Sequence, residues 1–99
     1  MFALRWTPTA RRQYDELQSS AQAYGLLNQV RKALRLLAND PRHPGLRTHE
    51  YHSLPNPFDP KAKVFEAYAQ NRTPGAYRIF WCYGPGKDEI TIIAITPHP

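Results

Sequence analysis

The chain has 99 residues, of which 41% are hydrophobic and 12% aromatic, a composition that excludes a disordered protein. This length supports one modest hydrophobic core, so we expect a single domain over residues 1–99. Thirteen Lys and Arg residues against eight Asp and Glu give a formal charge of +5, which suits an anionic partner such as nucleic acid or an acidic protein. Many small basic proteins bind no anion, so the charge alone leaves both interpretations open.

The sequence also argues against a disulfide scaffold and a membrane protein. Cys82 is the only cysteine, so no intramolecular disulfide can form, and its aromatic neighbours predict a buried thiol. The N-terminal residues lack the apolar core of a signal peptide, and no run approaches the roughly 20 apolar residues of a membrane span. We therefore expect a cytoplasmic protein with no membrane partner.

The first 41 residues predict one strand and two helices. Phe2–Trp6 alternates large apolar residues with smaller or charged ones, as a half-buried strand does. Thr7 and Pro8 are typical of a helix start, because Thr caps free amides and Pro fits the first helical position. This helix is predicted to end near Gln18, and the second helix at Asp40-Pro41. An apolar stripe at three- and four-residue steps predicts the second helix. The stripe consists of Leu26, Leu27, Val30, Ala33, Leu34 and Leu37.

The remaining residues predict strands. Leu46–Leu54 can form a strand that places Glu50 and His52 on one face, with Arg47 and His49 on the other. Three more strands are predicted in the segments Lys63–Ala69, Tyr77–Tyr83 and Ile90–Ile95.

The predicted element order is β-α-α-β-β-β. Sequential strands joined by short loops form an antiparallel meander, and the two N-terminal helices must then cover one face of that sheet. The sequence thus predicts an α+β fold.

Arg78 and His98 are the first candidate site residues. An antiparallel hairpin brings the start of one strand beside the end of the next, so these two residues are predicted neighbours. The arginine fork suits a phosphate group, and an imidazole exchanges protons near neutral pH. Each residue is equally compatible with an ordinary surface position.

His49 and His52 are ligand types for zinc, but three positions apart on a strand they lie on opposite faces. We therefore expect no metal site. Proton transfer is the better functional use, in which Glu50 or His52 pairs with His98 to deprotonate a ribose 2′-hydroxyl and protonate the leaving oxygen.

These features together resemble the RelE/ParE superfamily of bacterial toxins over nearly the whole chain. The matching segments are Phe2–Trp6, Thr7-Pro8-Thr9-Ala10, Asp40-Pro41, His52-Ser53-Leu54, Tyr77-Arg78-Ile79-Phe80 and Ile90–Ile95. The resemblance implies two helices packed on a curved antiparallel sheet and a cognate antitoxin as partner. In the RelE branch it also implies cleavage of mRNA, often on the ribosome, without metal or other cofactor.

The resemblance assigns roles to several residues. Arg78 matches the phosphate-binding arginine, and His98 matches the C-terminal region where members carry a catalytic His or Tyr. His52 falls near the general-base glutamate of YoeB-like members, with Glu50 as the alternative. Arg72 lies near a second basic position, and the further candidates for substrate binding are His49 and Arg47.

Two departures from the family pattern leave alternatives open. The closely spaced lysines of the RelE type are absent, since Ala69-Gln70-Asn71 stand there instead, and no tyrosine follows His98. The general base remains a choice among His49, Glu50 and His52.

The leading hypothesis is an mRNA endoribonuclease that inhibits translation. In it, Arg78 and Arg72 hold the scissile phosphate. His52 or Glu50 activates the 2′-hydroxyl, and His98 protonates the leaving group. The alternative is a non-enzymatic ParE-like or degenerate protein that binds a partner such as DNA gyrase.

Overall fold

A computed structural model describes residues 1–71 and 74–98 of the chain. It contains two α-helices and five β-strands, joined in part by short 3₁₀ turns at Ala21–Ala23 and Pro44–Leu46. In chain order the elements are β1 (Ala3–Trp6), α1 (Pro8–Ser19), α2 (Tyr24–Asn39), β2 (His49–Glu50), β3 (Phe65–Tyr68), β4 (Tyr77–Tyr83) and β5 (Glu89–Pro97). Neither helix in the described ranges is both long and apolar enough to cross a membrane.

The five strands form one sheet in the order β1-β5-β4-β3-β2. Strands β2 to β5 pair as the predicted antiparallel meander, whereas β1 runs parallel to β5 and makes the sheet mixed. A parallel pair needs a long crossover connection, and α1 and α2 supply the start of it. The predicted α+β architecture, with both helices N-terminal to the meander, is confirmed.

The predicted strand over Leu46–Leu54 is too long, since the strand in the structure consists of the two residues of β2. A 3₁₀ turn spans Pro44–Leu46, and the next residue, Arg47, adopts the left-handed conformation with φ 48°. Regular extended backbone can therefore begin only after Arg47. Four strands follow the helices and correspond to the four predicted segments, whereas the predicted order β-α-α-β-β-β contains only three.

Thr7 fixes the junction between β1 and α1. Its side-chain oxygen accepts a hydrogen bond from the Ala10 amide at 3.1 Å, which is the predicted helix cap. The same hydroxyl donates to the carbonyl of Ile93 at 2.7 Å, so the cap also attaches the helix to strand β5. Pro8 occupies the first helical position, as predicted.

The two faces of the sheet differ in chemistry. Leu37, Ile79 and Trp81 belong to the buried cluster between the sheet and the helices. Alternation along β4 turns Arg78 and Phe80 to the opposite face, where both are buried as well. The sheet therefore supports a hydrophobic core on one face and a polar site on the other.

We expect Thr7→Ala to lower the free energy of unfolding by about 1–2 kcal/mol, since it removes both the helix cap and the hydrogen bond to β5. Urea unfolding followed by circular dichroism measures the change. Thr9→Ala is the matched control because Thr9 is exposed in the same helix, and it should leave the stability nearly unchanged. Equal losses in the two variants would contradict the assigned role of Thr7.

Candidate active site

The register of the sheet collects polar side chains on the face away from the helices. His49 of β2 lies opposite Glu66 of β3, and Tyr68 of β3 lies opposite Arg78 of β4. Arg78 in turn lies opposite Thr96 of β5, two residues before His98. Strand pairing alone therefore brings four elements of the chain to one place.

The centre of this cluster is the carboxylate of Glu66, whose side chain is only 1% exposed. Its Oε1 lies 2.6 Å from His49 Nε2, a short charge-assisted contact. Its Oε2 lies 3.6 Å from His98 Nε2 and 3.9 Å from Arg78 Nε, and it makes no hydrogen bond within the described ranges. One buried anion thus faces two imidazoles and a guanidinium.

Arg78 is held in a fixed orientation. Its Nη1 donates to the carbonyl of Gln70 at 2.8 Å, and its Cζ lies 3.7 Å from the ring centre of Tyr68. The arginine is 8% exposed, and its Nε is among the buried polar atoms that lack a hydrogen bond. A pre-oriented guanidinium with unused donor capacity is suited to an anionic ligand.

The two imidazoles flank Glu66 and are each about half exposed, with side-chain exposures of 50% for His49 and 48% for His98. His49 Nδ1 lies 3.2 Å from the carbonyl of Arg47, which can only accept a hydrogen bond. Both ring nitrogens of His49 therefore face acceptor atoms of the protein. The backbone amide of His98 donates to Ala76 at 2.8 Å, which ties the C-terminal residues to the start of β4.

The structure brings together some of the predicted site residues and separates others. Arg78, His98 and His49 meet at Glu66, and the Arg47 guanidinium lies 6.0 Å from the ring centre of Tyr68. The predicted phosphate contact Arg72 lies outside the described residues.

Glu50 and His52 form a separate pair at the sheet edge. His52 is 82% exposed, and its Nδ1 lies 3.5 Å from Glu50 Oε2. Glu50 pairs in register with Phe65 and also lies 3.9 Å from Lys63 Nζ. Alternation along the two-residue strand turns Glu50 to the face opposite His49.

Glu66 and Tyr68 belong to the site, yet the sequence patterns do not assign them to it. The available signal was one acidic residue within the otherwise apolar strand segment Val64–Ala69. In a half-exposed strand such a residue usually faces water, so the pattern gave no reason to expect a buried carboxylate.

Two other features concern the chemistry of the site. Cys82 follows Phe80 on the same face of β4, and burial raises the pKa of its thiol, which disfavours a reactive thiolate. Within residues 1–71 and 74–98, no group of three His, Cys, Asp or Glu side chains is arranged to hold a metal ion.

No family model matches the chain, and no curated protein matches its sequence significantly. Solved structures do match, and they show that the chain has the fold of the RelE/ParE-type toxins, as predicted. One is a YoeB/ParE toxin from Agrobacterium tumefaciens, at 13% identity and a TM-score of 0.69, covering 100% of both chains. The YoeB dimer from Staphylococcus aureus matches at 12% identity and a TM-score of 0.65, over 99% of this chain and 98% of that one. The intact E. coli RelBE toxin–antitoxin complex matches at 13% identity and a TM-score of 0.61, over 100% and 99%.

We expect Arg78→Ala to destabilise the fold by about 3 kcal/mol, because it removes a cation from beside a buried carboxylate. Adding Glu66→Gln should restore part of that loss, so the pair should show a coupling energy of about 0.5–3 kcal/mol. A double-mutant cycle by urea unfolding measures it. Strictly additive losses would mean that the two charges do not interact, contrary to the geometry of the cluster.

Proposed function

We propose that this protein is the toxin of a type II toxin–antitoxin system and acts as a metal-independent endoribonuclease on mRNA. The observation that carries the proposal is the cluster at Glu66, in which a buried guanidinium stands beside two half-exposed imidazoles. Cleavage by an internal 2′-hydroxyl requires one cation for the phosphate and two groups that exchange protons. The solved structures with this fold include proteins described as toxins, which supports the same role.

The reaction is a transesterification in which the ribose 2′-oxygen attacks the adjacent phosphorus. A base removes the 2′-hydroxyl proton, the P–O5′ bond breaks, and an acid protonates the departing 5′-oxygen. The products are a 2′,3′-cyclic phosphate and a free 5′-hydroxyl. Negative charge builds up on the phosphoryl oxygens in the transition state, so a fixed cation beside them lowers the barrier.

The chain supplies a group for each of these tasks. Arg78 binds the scissile phosphate, and Arg47 adds positive charge near the ring of Tyr68. His49 is the proposed acceptor of the 2′-hydroxyl proton: Glu66 accepts the hydrogen bond of its Nε2–H, and its Nδ1 must exchange the Arg47 carbonyl, 3.2 Å away, for the substrate hydroxyl. His98 protonates the leaving oxygen.

Glu66 positions His49 through the 2.6 Å contact and lies 3.6 Å from His98, and its burial keeps it from contacting the substrate. A carboxylate that receives one ring N–H fixes the tautomer and orientation of the imidazole. The structure therefore favours His49 over His52 as the base, while Arg72 remains a candidate for a second phosphate contact.

The proposed partners follow from charge and fold. The formal charge of +5 suits both mRNA and an acidic antitoxin, and one solved structure of this fold is a toxin–antitoxin complex. We place the protein in the cytoplasm, where mRNA and ribosomes are found.

Two matched pairs of variants test the site. His49→Ala and Glu66→Gln should lower the cleavage rate by about 10²–10⁴, the usual contribution of a positioned acid or base. The same substitutions at the separate pair, His52→Ala and Glu50→Gln, should leave the rate near that of the wild type. Cleavage is measured by primer extension on mRNA, free and in a translating extract, with the cyclic phosphate identified by mass spectrometry.

His98→Ala should abolish the new 5′ ends, and circular dichroism confirms that each variant is folded. Activity that depends on His52 but not on His49 would overturn the proposed base. Growth arrest on expression without any RNA cleavage would instead support the ParE-like alternative, in which the chain acts by binding a protein.

A further inference from the structure

A cavity of about 480 Å³ opens between helix α2 and the outer edge of strand β3, next to the candidate active site. This volume lies within the range of about 300–1,000 Å³ typical of ligand pockets. Tyr68 lines the cavity and also stacks on Arg78, so the two sites share a wall. Tyr68 therefore connects the cavity to the proposed phosphate position at Arg78.

The edge of β3 presents one donor and one acceptor to this cavity. Ala69 donates its amide to Tyr77 of β4, so the N–H and C=O of the preceding residue, Tyr68, point away from β4 to the outer edge. Strand β2 pairs only with Phe65 and Glu66 and stops before Tyr68. The backbone of Tyr68 thus offers the donor–acceptor pair with which one edge of a nucleobase can pair.

Side chains around the cavity add further donors. His43 Nδ1 accepts the Gly45 amide at 2.9 Å, so the neutral ring carries its proton on Nε2 and can donate from there. Gln29 Oε1 accepts from Gln70 Nε2 at 2.9 Å, which leaves the amide nitrogen of Gln29 as a donor. Lys32 supplies positive charge, and among the described residues that line the cavity there is no Asp or Glu.

We infer that this cavity binds the nucleobase of a nucleotide next to the cleaved bond, with Tyr68, Gln29 and His43 as its reading groups and Lys32 as a phosphate contact. The inference rests on the proposed function and adds a specificity site to it. A protein strand added to β3 fits less well, since strand addition uses a ladder of main-chain hydrogen bonds. In the described stretch from Tyr68 to Gln70, the amides of Ala69 and Gln70 donate inward to Tyr77, so Tyr68 alone presents an outward amide there.

Nuclear magnetic resonance on the ¹⁵N-labelled chain tests the cavity directly. The probes are the four nucleoside 5′-monophosphates, which contain no cleavable bond, with inorganic phosphate as the reference. We expect a saturable shift of the Tyr68 and Gly45 amides that depends on the base and is absent with phosphate. Lys32→Glu should weaken this binding by about tenfold, which corresponds to 1.4 kcal/mol.

Lys87→Glu is the matched control, because it makes the same charge change at an exposed position in the turn between β4 and β5. If both variants weaken nucleotide binding equally, the effect comes from net charge alone, and the inference is overturned. So would shifts identical for all four nucleotides and phosphate, or no shift at Tyr68. A Tyr68 shift caused by an alternating Glu-Val hexapeptide but by no nucleotide would overturn it in favour of a protein partner.

Kinetics separate this inference from the proposed function. Lys32→Glu should raise KM for RNA about tenfold at unchanged kcat, because the contact is equal in the ground and transition states. It should also alter the base preference beside the cut. Cleavage that is insensitive to Lys32 would contradict the cavity's role while leaving the nuclease intact. Absence of all cleavage would contradict the nuclease, and the nucleotide titration would still decide whether the cavity binds bases.

Discussion

The buried carboxylate of Glu66 is the constraint on which the polar face of the sheet depends. An ionised carboxylate removed from water costs several kcal/mol unless cations and hydrogen bonds compensate for it. Here Arg78, His49 and His98 share that compensation, and each comes from a different part of the chain. Three parts of the chain that are distant in sequence are therefore held together at one buried carboxylate.

Strand alternation allows such a site to form in so small a protein. Ile79 and Trp81 are buried against the helices, while the neighbouring Arg78 and Phe80 are buried on the opposite face. A single strand thus supports the core and fixes the cation, so neither depends on a flexible loop. Rigid placement matters because acid–base catalysis is sensitive to small displacements of the reacting groups.

Much of the fold and part of the site follow from local sequence patterns. The helix start at Thr7 and the proximity of Arg78 and His98 are consequences of capping and hairpin pairing, which short segments encode. The separation of His49 from His52 depends on where β2 begins, and extended backbone begins only after the left-handed Arg47. The burial of Glu66 could not be predicted, because it results from the packing of β2 and the C-terminal residues around it.

The buried carboxylate of Glu66 illustrates that a shared fold does not determine the chemistry of a site. The resemblance to RelE-type toxins implies closely spaced lysines before Arg72, where this chain has Ala69-Gln70-Asn71. Its polar cluster instead contains a buried acid, Glu66, and a tyrosine, Tyr68, both on β3. In the proposed reaction, positive charge for the phosphate would come from Arg78 and Arg47, with Arg72 as a further candidate. The buried acid also changes what the neighbouring residues can do, because a carboxylate accepts hydrogen bonds from imidazole N–H groups and a lysine ammonium does not. In the proposed RNA cleavage, a carboxylate with two flanking histidines would serve the proton transfers, for which lysine side chains are less suited near neutral pH.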